Sequence, residues 1–564
     1  MSSSDTQRPR AALSRTAFGA ALGAGAVAVL LEGAASGAAG PRFYPDDPIQ
    51  LDNDREFDAS GAAPIEGSNI WDFIEHTFLD RGERKQVRAV NVNTMDEVPD
   101  STWFTNRIGR THLSPGEIAR GPDTLEAVNI DGWPIIEGKS QGITPGYRVV
   151  DPSGRRYQIK FDPPSNPEMS SGAEVIGAAF YHAAGYNVVE GYLVEVDPER
   201  LVIDPEARTV DMSGREKRMT KEDVQLILRR AARQPNGRYR AMASRYAEGK
   251  YLGYFKYYGT RADDPNDIFP HEHRRELRGS RVLAAWLNHD DSRGVNSLDM
   301  LQGPEGRKFI RHYMFDFGSI MGSSSTRPQV PRAGNEYLLE WEPSLLTLAT
   351  LGLYVRPWLT IDYPKAPKSI GRFESARFEP ELWKPEYPNP AFENMRADDA
   401  FWAARIVARF SDDAIRAVVG RARFSEAGAA EFAVRTLIER RDKVLKFWLP
   451  GVNPIVSPAL DASGTLTFQN AAVEAGVATS PSAYVLQWHH FDNAAGLGDP
   501  IGREIRVSEP RAGAPLESLQ GREFVAVTIR TVHAQFPHWA EPVTIYLRRN
   551  GGGWRPVGLE RTVP

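Results

Sequence analysis

Apolar and polar positions alternate with a period of two from Gly146 to Asp162, in GYRVVDPSGRRYQIKFD, and Asp151–Gly154 supplies the turn between two strand-length pieces. A β-hairpin is predicted. The period then lengthens: Val175, Ile176, Ala179 and Phe180 form the buried stripe of a helix with Ser171 at its cap and Gly185 at its end. NVVEGYLVEV returns to strand. A second helix over about 272–288 turns Leu277, Val282, Leu283, Trp286 and Leu287 inward, and two strand-like pieces, VNSLDML and KFIRHYMFDF, follow around the turn QGPEG. Residues 397–449 are helical by period, with Phe401, Ile406, Val407 and Phe410 on one stripe and Phe432, Val434, Leu437 and Ile438 on a later one. The last hundred residues alternate again between Gly, Pro and Asn turns, as in SAYVLQWHHFDN and EFVAVTIRTV, and predict a small all-β accessory domain.

The pattern divides the chain into an N-terminal leader (1–40), an irregular wrapping segment (41–133), a central α+β domain (134–450) and a C-terminal β domain (451–564). Residues 199–265 are charged and turn-rich, with Pro235-Asn236-Gly237 among the signals, and read as an insertion carrying its own helix at about 220–233. Pro450–Pro458 reads as a linker. In the leader, Arg8, Arg10 and Arg15 precede an uncharged run from Thr16 to Leu31 and then small residues to Gly40, the order of an export signal cleaved near Gly37 to Gly40. The run is shorter than the roughly 20 residues of a spanning helix. Left uncleaved, residues 16–31 would be an anchor with the remainder outside; a disordered tail on a cytosolic protein is the plainer alternative. SRTAF resembles a twin-arginine signal, with Thr16 in place of the second arginine.

A chain of 564 residues, 41% hydrophobic and 25% charged, can bury the cores of several domains. Lys plus Arg number 68 against 73 Asp plus Glu, so no whole-molecule positive field points to nucleic acid. Cysteine is absent, which excludes disulfides, thiolate zinc sites and cysteine nucleophiles.

Two segments carry chemistry, HDDSRGVN at His289–Asn296 and FDFGS at Phe315–Ser319. Phosphoryl transfer to a hydroxyl needs a carboxylate near the acceptor, oxygen ligands for a metal that bridges the phosphates, and a fixed cation on the nucleotide. Asp291 and Asn296 stand five residues apart, as do the catalytic Asp and metal-binding Asn of a kinase catalytic loop, and Asp316 opens a D-F-G beyond the predicted hairpin. Upstream, Lys160 lies on a strand and Glu174 in the first turn of the next helix, fourteen residues on. Gly138, Gly142 and Gly146 in GKSQGITPG precede them but do not spell G-x-G-x-x-G.

Together these segments resemble the protein-kinase-like superfamily in its atypical branches, the HipA-type, CotH-type and phosphoinositide-kinase-like enzymes, over roughly residues 138–449. The resemblance implies a bilobal kinase-like α+β domain that uses ATP and magnesium. Lys160 would hold nucleotide phosphates and Glu174 would position it, with Gly142 and Gly146 in the covering loop. Asp291 would orient or deprotonate the acceptor, Arg293 would stand where kinases carry a phosphate-contacting lysine, and Asn296 and Asp316 would bind Mg2+. Asp290 departs from the usual H-R-D arginine, and no A-P-E follows Gly318.

Each residue also has a plainer reading. Ser171 with Glu174 fits a capping box, Lys160 could end an edge strand, and D-F-G is short enough to arise by chance. His271, His273 and His289 with Asp290 could be a metal hydrolase's ligands, although HEHRRE is not H-E-x-x-H, and surface histidines are the better reading. His489 and His490 read as half-exposed strand residues, and the basic runs RGERKQVR and EHRRELRGSR as solvated faces. The function expected is an exported phosphotransferase using ATP and Mg2+ on a protein or small-molecule acceptor. The alternatives are transfer of AMP on the same fold, a pseudokinase scaffold, and an envelope-binding protein using its aromatic-rich N-terminal segment and C-terminal β domain for glycan contacts.

Overall fold

A computed structural model describes residues 40–79, 82–139, 144–211 and 213–563. The leader up to residue 39 and Gly142 lie outside the described residues. Helix α1 (Asn69–Ile74) runs into a π-helical turn (Glu75–Leu79), and α2 (Pro115–Arg120) completes the helices of the wrapping segment. Strands β1 (Pro134–Gly138), β2 (Gly146–Val150) and β3 (Arg156–Phe161) lead to α3 (Met169–Ala184) and β4 (Gly191–Val196). After them come β5 (Val202–Val210), β6 (Glu216–Arg218), α4 (Lys221–Arg229), β7 (Tyr239–Arg245) and β8 (Lys250–Tyr251). Helix α5 (Arg275–Leu287), the hairpin β9 (Ser297–Gln302) and β10 (Phe309–Met314), and helices α6 (Trp341–Ala349), α7 (Pro390–Glu393), α8 (Ala397–Val407), α9 (Asp412–Gly420) and α10 (Ala429–Trp448) follow.

The first seven strands form one sheet in the order β4-β7-β3-β2-β1-β5-β6, and β8 joins the β9–β10 hairpin in a second. On one face of the first sheet Tyr147, Val149, Tyr157, Ile159, Phe161, Tyr192 and Val194 bury a continuous apolar layer. The period of two along β3 therefore sends Lys160 to the opposite face. The second core joins α3, α5, α8, α9 and α10 around Trp286, Trp402 and Phe410. The domain is α+β, with a sheet-rich portion ahead of a helical one.

Beyond it lie β11 (Ile455–Leu460), β12 (Thr465–Asn470), β13 (Ala483–Asp492), β14 (Gly496–Val507), β15 (Arg511–Gly513), β16 (Phe524–Val532), β17 (Val543–Asn550) and β18 (Gly553–Arg561). They form a three-stranded sheet, β11-β12-β15, and a five-stranded one, β14-β13-β16-β17-β18, over a core of their own. This is the C-terminal all-β region the alternation predicts.

Several expectations are corrected. The stretch 199–265 is no simple insertion, because β7 pairs with both β3 and β4 inside the first sheet. Its apolar positions are too few and too small (Ala241, Met242, Ala243) to announce a buried strand by pattern. Pro450–Pro458 is packed chain rather than a free linker: Asn453 donates to Ile529 O at 3.2 Å and Glu541 O at 2.9 Å, and Pro458 sits where edge strand β11 loses register with β12. Ser171 is not a cap. It lies inside α3, which starts after Glu168, and its hydroxyl donates to Asp162 at 2.6 Å.

The run EHRRELRGSR is the largest correction. His271, His273, Arg274, Arg275 and Arg278 are buried, because carboxylates meet them, those of Arg275 and Arg278 distant in sequence. Arg275 pairs with Asp96 at 2.7 Å and with Asp398 and Asp399 at 3.0 Å each, and Arg278 with Asp399 at 3.2 Å. His271 is held by Asp267 at 2.7 Å and His273 by Glu83 at 3.2 Å, so neither is a surface histidine. One guanidinium thus ties the wrapping segment to α5 and the start of α8. At the other end of that segment Phe43 packs against Tyr546 and Phe491 of the β region, with ring centroids 5.2 and 5.7 Å away.

Removing one partner of a fully buried charge cluster leaves the others uncompensated. Arg275→Ala is expected to lower stability by about 3–5 kcal/mol in urea unfolding. A midpoint indistinguishable from the parent would show that the cluster does not hold the segment down.

Candidate functional site

Lys160 reaches the helical side of the sheet from an interior strand, since β3 lies between β2 and β7. It does not end an edge strand. Its Nζ donates to Asp316 Oδ1 at 2.8 Å and lies 3.8 Å from Glu174 Oε2, with the Phe315 ring centroid 4.8 Å away. Burial opposes the ammonium, but Asp316 and Glu174 outweigh it and raise the lysine's pKa. Asp316 is correspondingly lowered: burial works against its charge and the contact with Lys160 prevails. Glu174 is raised by burial despite Lys160 and the backbone N–H groups of Phe317 and Gly318 that it accepts. These bonds, not a capping box, account for Glu174.

Helix α3 can bring Glu174 here because it is built from small residues and buried on nearly every side. A Cβ on Gly177 would stand 2.5 Å from Phe317, so glycine lets the D-F-G turn lie directly on the helix. Asp316 itself adopts a left-handed conformation, φ 62°, ψ 59°, uncommon for a residue other than glycine and costly unless the surroundings enforce it. Phe317 beneath it and Lys160 beside it do so.

The HDDSRGVN segment closes the other side. Asn288 ends α5 in a left-handed conformation, and Phe315 N donates to Asn296 O at 3.2 Å, which sets Asn296 beside the D-F-G turn. Asn296 Nδ2 donates to Asp291 O at 2.9 Å, leaving its carbonyl oxygen for another partner. Asp291 Oδ1 faces Arg293 Nε at 2.6 Å, and Arg293 also binds Glu386 at 2.8 Å. Burial, only partly offset by Arg293 and reinforced by Glu386 and Asp316, pushes the Asp291 carboxyl up to about 7. Its neighbour Asp290 is pushed up by burial to about 6. Tyr181, His289, Asp291, Arg293, Asn296 and Phe315 line one small cavity.

The sequence-predicted Lys160, Glu174, Asp291, Arg293, Asn296 and Asp316 thus come together. Gly146 does not behave as a covering-loop residue: it pairs with Lys160 across β2 and β3, and a Cβ there would strike the Ile159 carbonyl. Three contributors escaped the sequence reading, and His289, which it placed among surface histidines, is buried. Lys139, at the end of β1, has an ammonium pulled down to about 8 by burial and by Lys160; its place in GKSQG was the available signal. His289, lowered to about 4 by burial, meets Tyr181 Oη at 3.1 Å. Glu386 and Tyr387, nearly a hundred residues downstream, had no local signal. Tyr387 donates to the buried Asp72 of α1 and lies under Arg293, its ring centroid 5.9 Å away.

The histidines weighed as metal-hydrolase ligands do not gather. Among the described residues the grouping of that kind is Asp72, Glu75 and His76, where Lys256 already stands 2.8 Å from Glu75. Asp316 and the Asn296 carbonyl are hard oxygen donors that suit Mg2+.

Two measurements test this geometry. Gly177→Ala should cost about 1–3 kcal/mol of stability and move Phe317, read as altered protection of the 315–318 amides in hydrogen exchange. Because the folded state holds the Asp291 proton to a higher pH than the unfolded chain, Asp291 costs the fold stability as pH climbs from about 4 to about 7. Asp291→Asn should therefore gain on the parent across that window and hold a constant margin above it. Urea midpoints at pH 4, 5.5 and 8 with an unchanging difference would contradict the shift.

No family model matches the chain, and no curated protein matches it. Among solved structures, the Helicobacter pylori proinflammatory kinase CtkA is similar over 56% of this chain and 94% of that one, at 12% identity and a TM-score of 0.28. So loose an overlap carries no argument about function.

Proposed function

We propose that the protein is an exported phosphotransferase of the atypical kinase-like kind, moving the γ-phosphoryl group of ATP to a hydroxyl of a protein or small-molecule acceptor. The observation that supports it most is the buried Lys160 shared between Asp316 and Glu174, with the Asp291–Asn296 loop tied next to Asp316 by the bond from Phe315 N to Asn296 O. Lys160 and Lys139 would meet the nucleotide phosphates, and Asp316 with Asn296 would hold Mg2+. The metal would supply charge neutralisation at the β- and γ-phosphates. Asp291 would receive the acceptor's proton as the new O–P bond forms and the bond to the leaving ADP breaks. Arg293, tied by Glu386, would hold Asp291 in place and offer positive charge to the transferring group. The shift of Asp291 towards neutrality fits a group that must take up a proton.

One observation favours a scaffold that binds nucleotide without turnover: Lys160 is 1 Å nearer the metal carboxylate Asp316 than its helix partner Glu174, at 2.8 against 3.8 Å. In that reading the C-terminal β region would make the contacts with envelope material.

Calorimetric titration of the chain with ATP in the presence of Mg2+ separates the readings. Magnesium-dependent binding, lost by at least about tenfold in Asp316→Ala, is expected of both, and phosphate transfer lost in Asp291→Ala of the enzyme alone. Absence of nucleotide binding in the parent would end both.

A further inference from the structure

Helix α6 buries none of its residues. Between Trp341 and Thr360 the chain carries two charged residues, Glu342 and Arg356, and Arg356 is paired with Glu336. The rest is leucine, valine, aromatic and small residues. Leu348 is 72% exposed, Leu351 92% and Leu353 84%, with Leu345, Val355 and Leu359 also exposed. A second apolar group joins it from the wrapping segment: Ile70, Trp71, Phe78 and Leu79 are all exposed, and the Phe78 ring meets Trp341 edge-on with centroids 6.4 Å apart. Isolated exposed leucines need no explanation, but a contiguous shelf from two distant segments does.

We propose that this shelf seats the protein on a lipid bilayer. Its leucines project almost free of the body, so they form a tip and not a groove that a partner helix could fill. Trp341, Tyr354 and Trp358 flank the tip, amphipathic rings of the kind that settle at the headgroup level, and Trp358 Nε1 keeps a polar partner, Glu336, at 2.6 Å. The near absence of free charge matches a zwitterionic surface and gives an anionic one no advantage.

Left uncleaved, the chain outside the described residues would bring the same occupant within reach. Its apolar run Thr16–Leu31 is followed by only nine residues to Gly40, the first described residue. Nine residues reach about 30 Å at most, so the run, left uncleaved in a membrane, would keep the β region on which Phe43 packs within that distance of the surface. None of the described helices is long and apolar enough to cross a membrane itself, so the shelf would lie in the interface. It adjoins the Asp291 end of the cleft, because Leu338 N donates to Glu386 O at 2.6 Å and Glu386 holds Arg293. The inference does not depend on the phosphotransferase reading.

The absence of cysteine permits a site-specific test. The full chain with Leu351→Cys, labelled with an environment-sensitive fluorophore, is mixed with phosphatidylcholine vesicles carrying chain-attached quenchers; Ser463→Cys, exposed in the β region, is the control. The label at position 351 should shift to the blue and be quenched, the label at 463 should not, and adding Leu348→Ser and Leu353→Ser should weaken the effect at least about fivefold. The leader alone could carry the chain to vesicles, but it would leave position 351 unquenched, and that result overturns the proposal. So does a shift at 351 that follows protein concentration without vesicles, which would mean that a second copy covers the shelf.

Discussion

A single buried ammonium couples the two halves of the central domain. Lys160 belongs to the sheet, Glu174 to the helix packed against it and Asp316 to the turn that leaves the second hairpin, so three separate elements share one charge. Burial pushes Glu174 towards neutrality, while the closer contact with Lys160 keeps Asp316 ionised. The arrangement is stable only if backbone amides and packing hold the acids where they are. Gly177, by letting Phe317 rest on α3, and the N–H groups of Phe317 and Gly318 do this.

How much of this was legible follows from the range of each interaction. The hairpin around Lys160, the helix bearing Glu174 and the pair of strands before Asp316 are local patterns of period two or near 3.6, and the structure contains them. Strand β7 was missed because its alanines carry no alternation. Ser171 looked like a cap because Ser-x-x-Glu is the local signature, yet Asp162, nine residues back, takes its hydroxyl and the helix starts earlier. The basic run at 272–281 looked solvated because charge was read without its partners. Asp96, Asp398 and Asp399 are more than a hundred residues from Arg275, and no window along the chain contains them together.

The same distance argument explains the wrapping segment. Composition rich in Asp, Asn and Pro marked it as irregular, and it is; what composition could not show is that its polar residues are buried fasteners. Asp54 accepts the amide and hydroxyl of Thr102, Asn91 accepts the amide of Arg275, and Thr94 donates to Val557 of the β region at 2.6 Å. An irregular segment cannot satisfy its backbone by its own repeat, so it borrows partners from the domains it crosses, and in doing so fixes their relation.

That fixing extends to the cavity beside Asp291. Asp72, buried at the end of α1, accepts the Tyr387 hydroxyl; the Tyr387 ring lies beneath Arg293; and Arg293 is shared by Asp291 and Glu386. Glu386 in turn is joined through its backbone to Leu338, at the root of the apolar shelf, whose other half is α1 itself. Asp291 is therefore bounded on both sides by the two elements that present apolar surface to the outside. A displacement of either element on contact with a surface would be felt at Arg293 first, because a guanidinium divided between two carboxylates responds to a shift in either. The wrapping segment, the shelf and the Asp291 cavity are joined by a chain of direct contacts, and the surroundings of Asp291 are set by elements that lie more than two hundred residues before it and nearly a hundred after it.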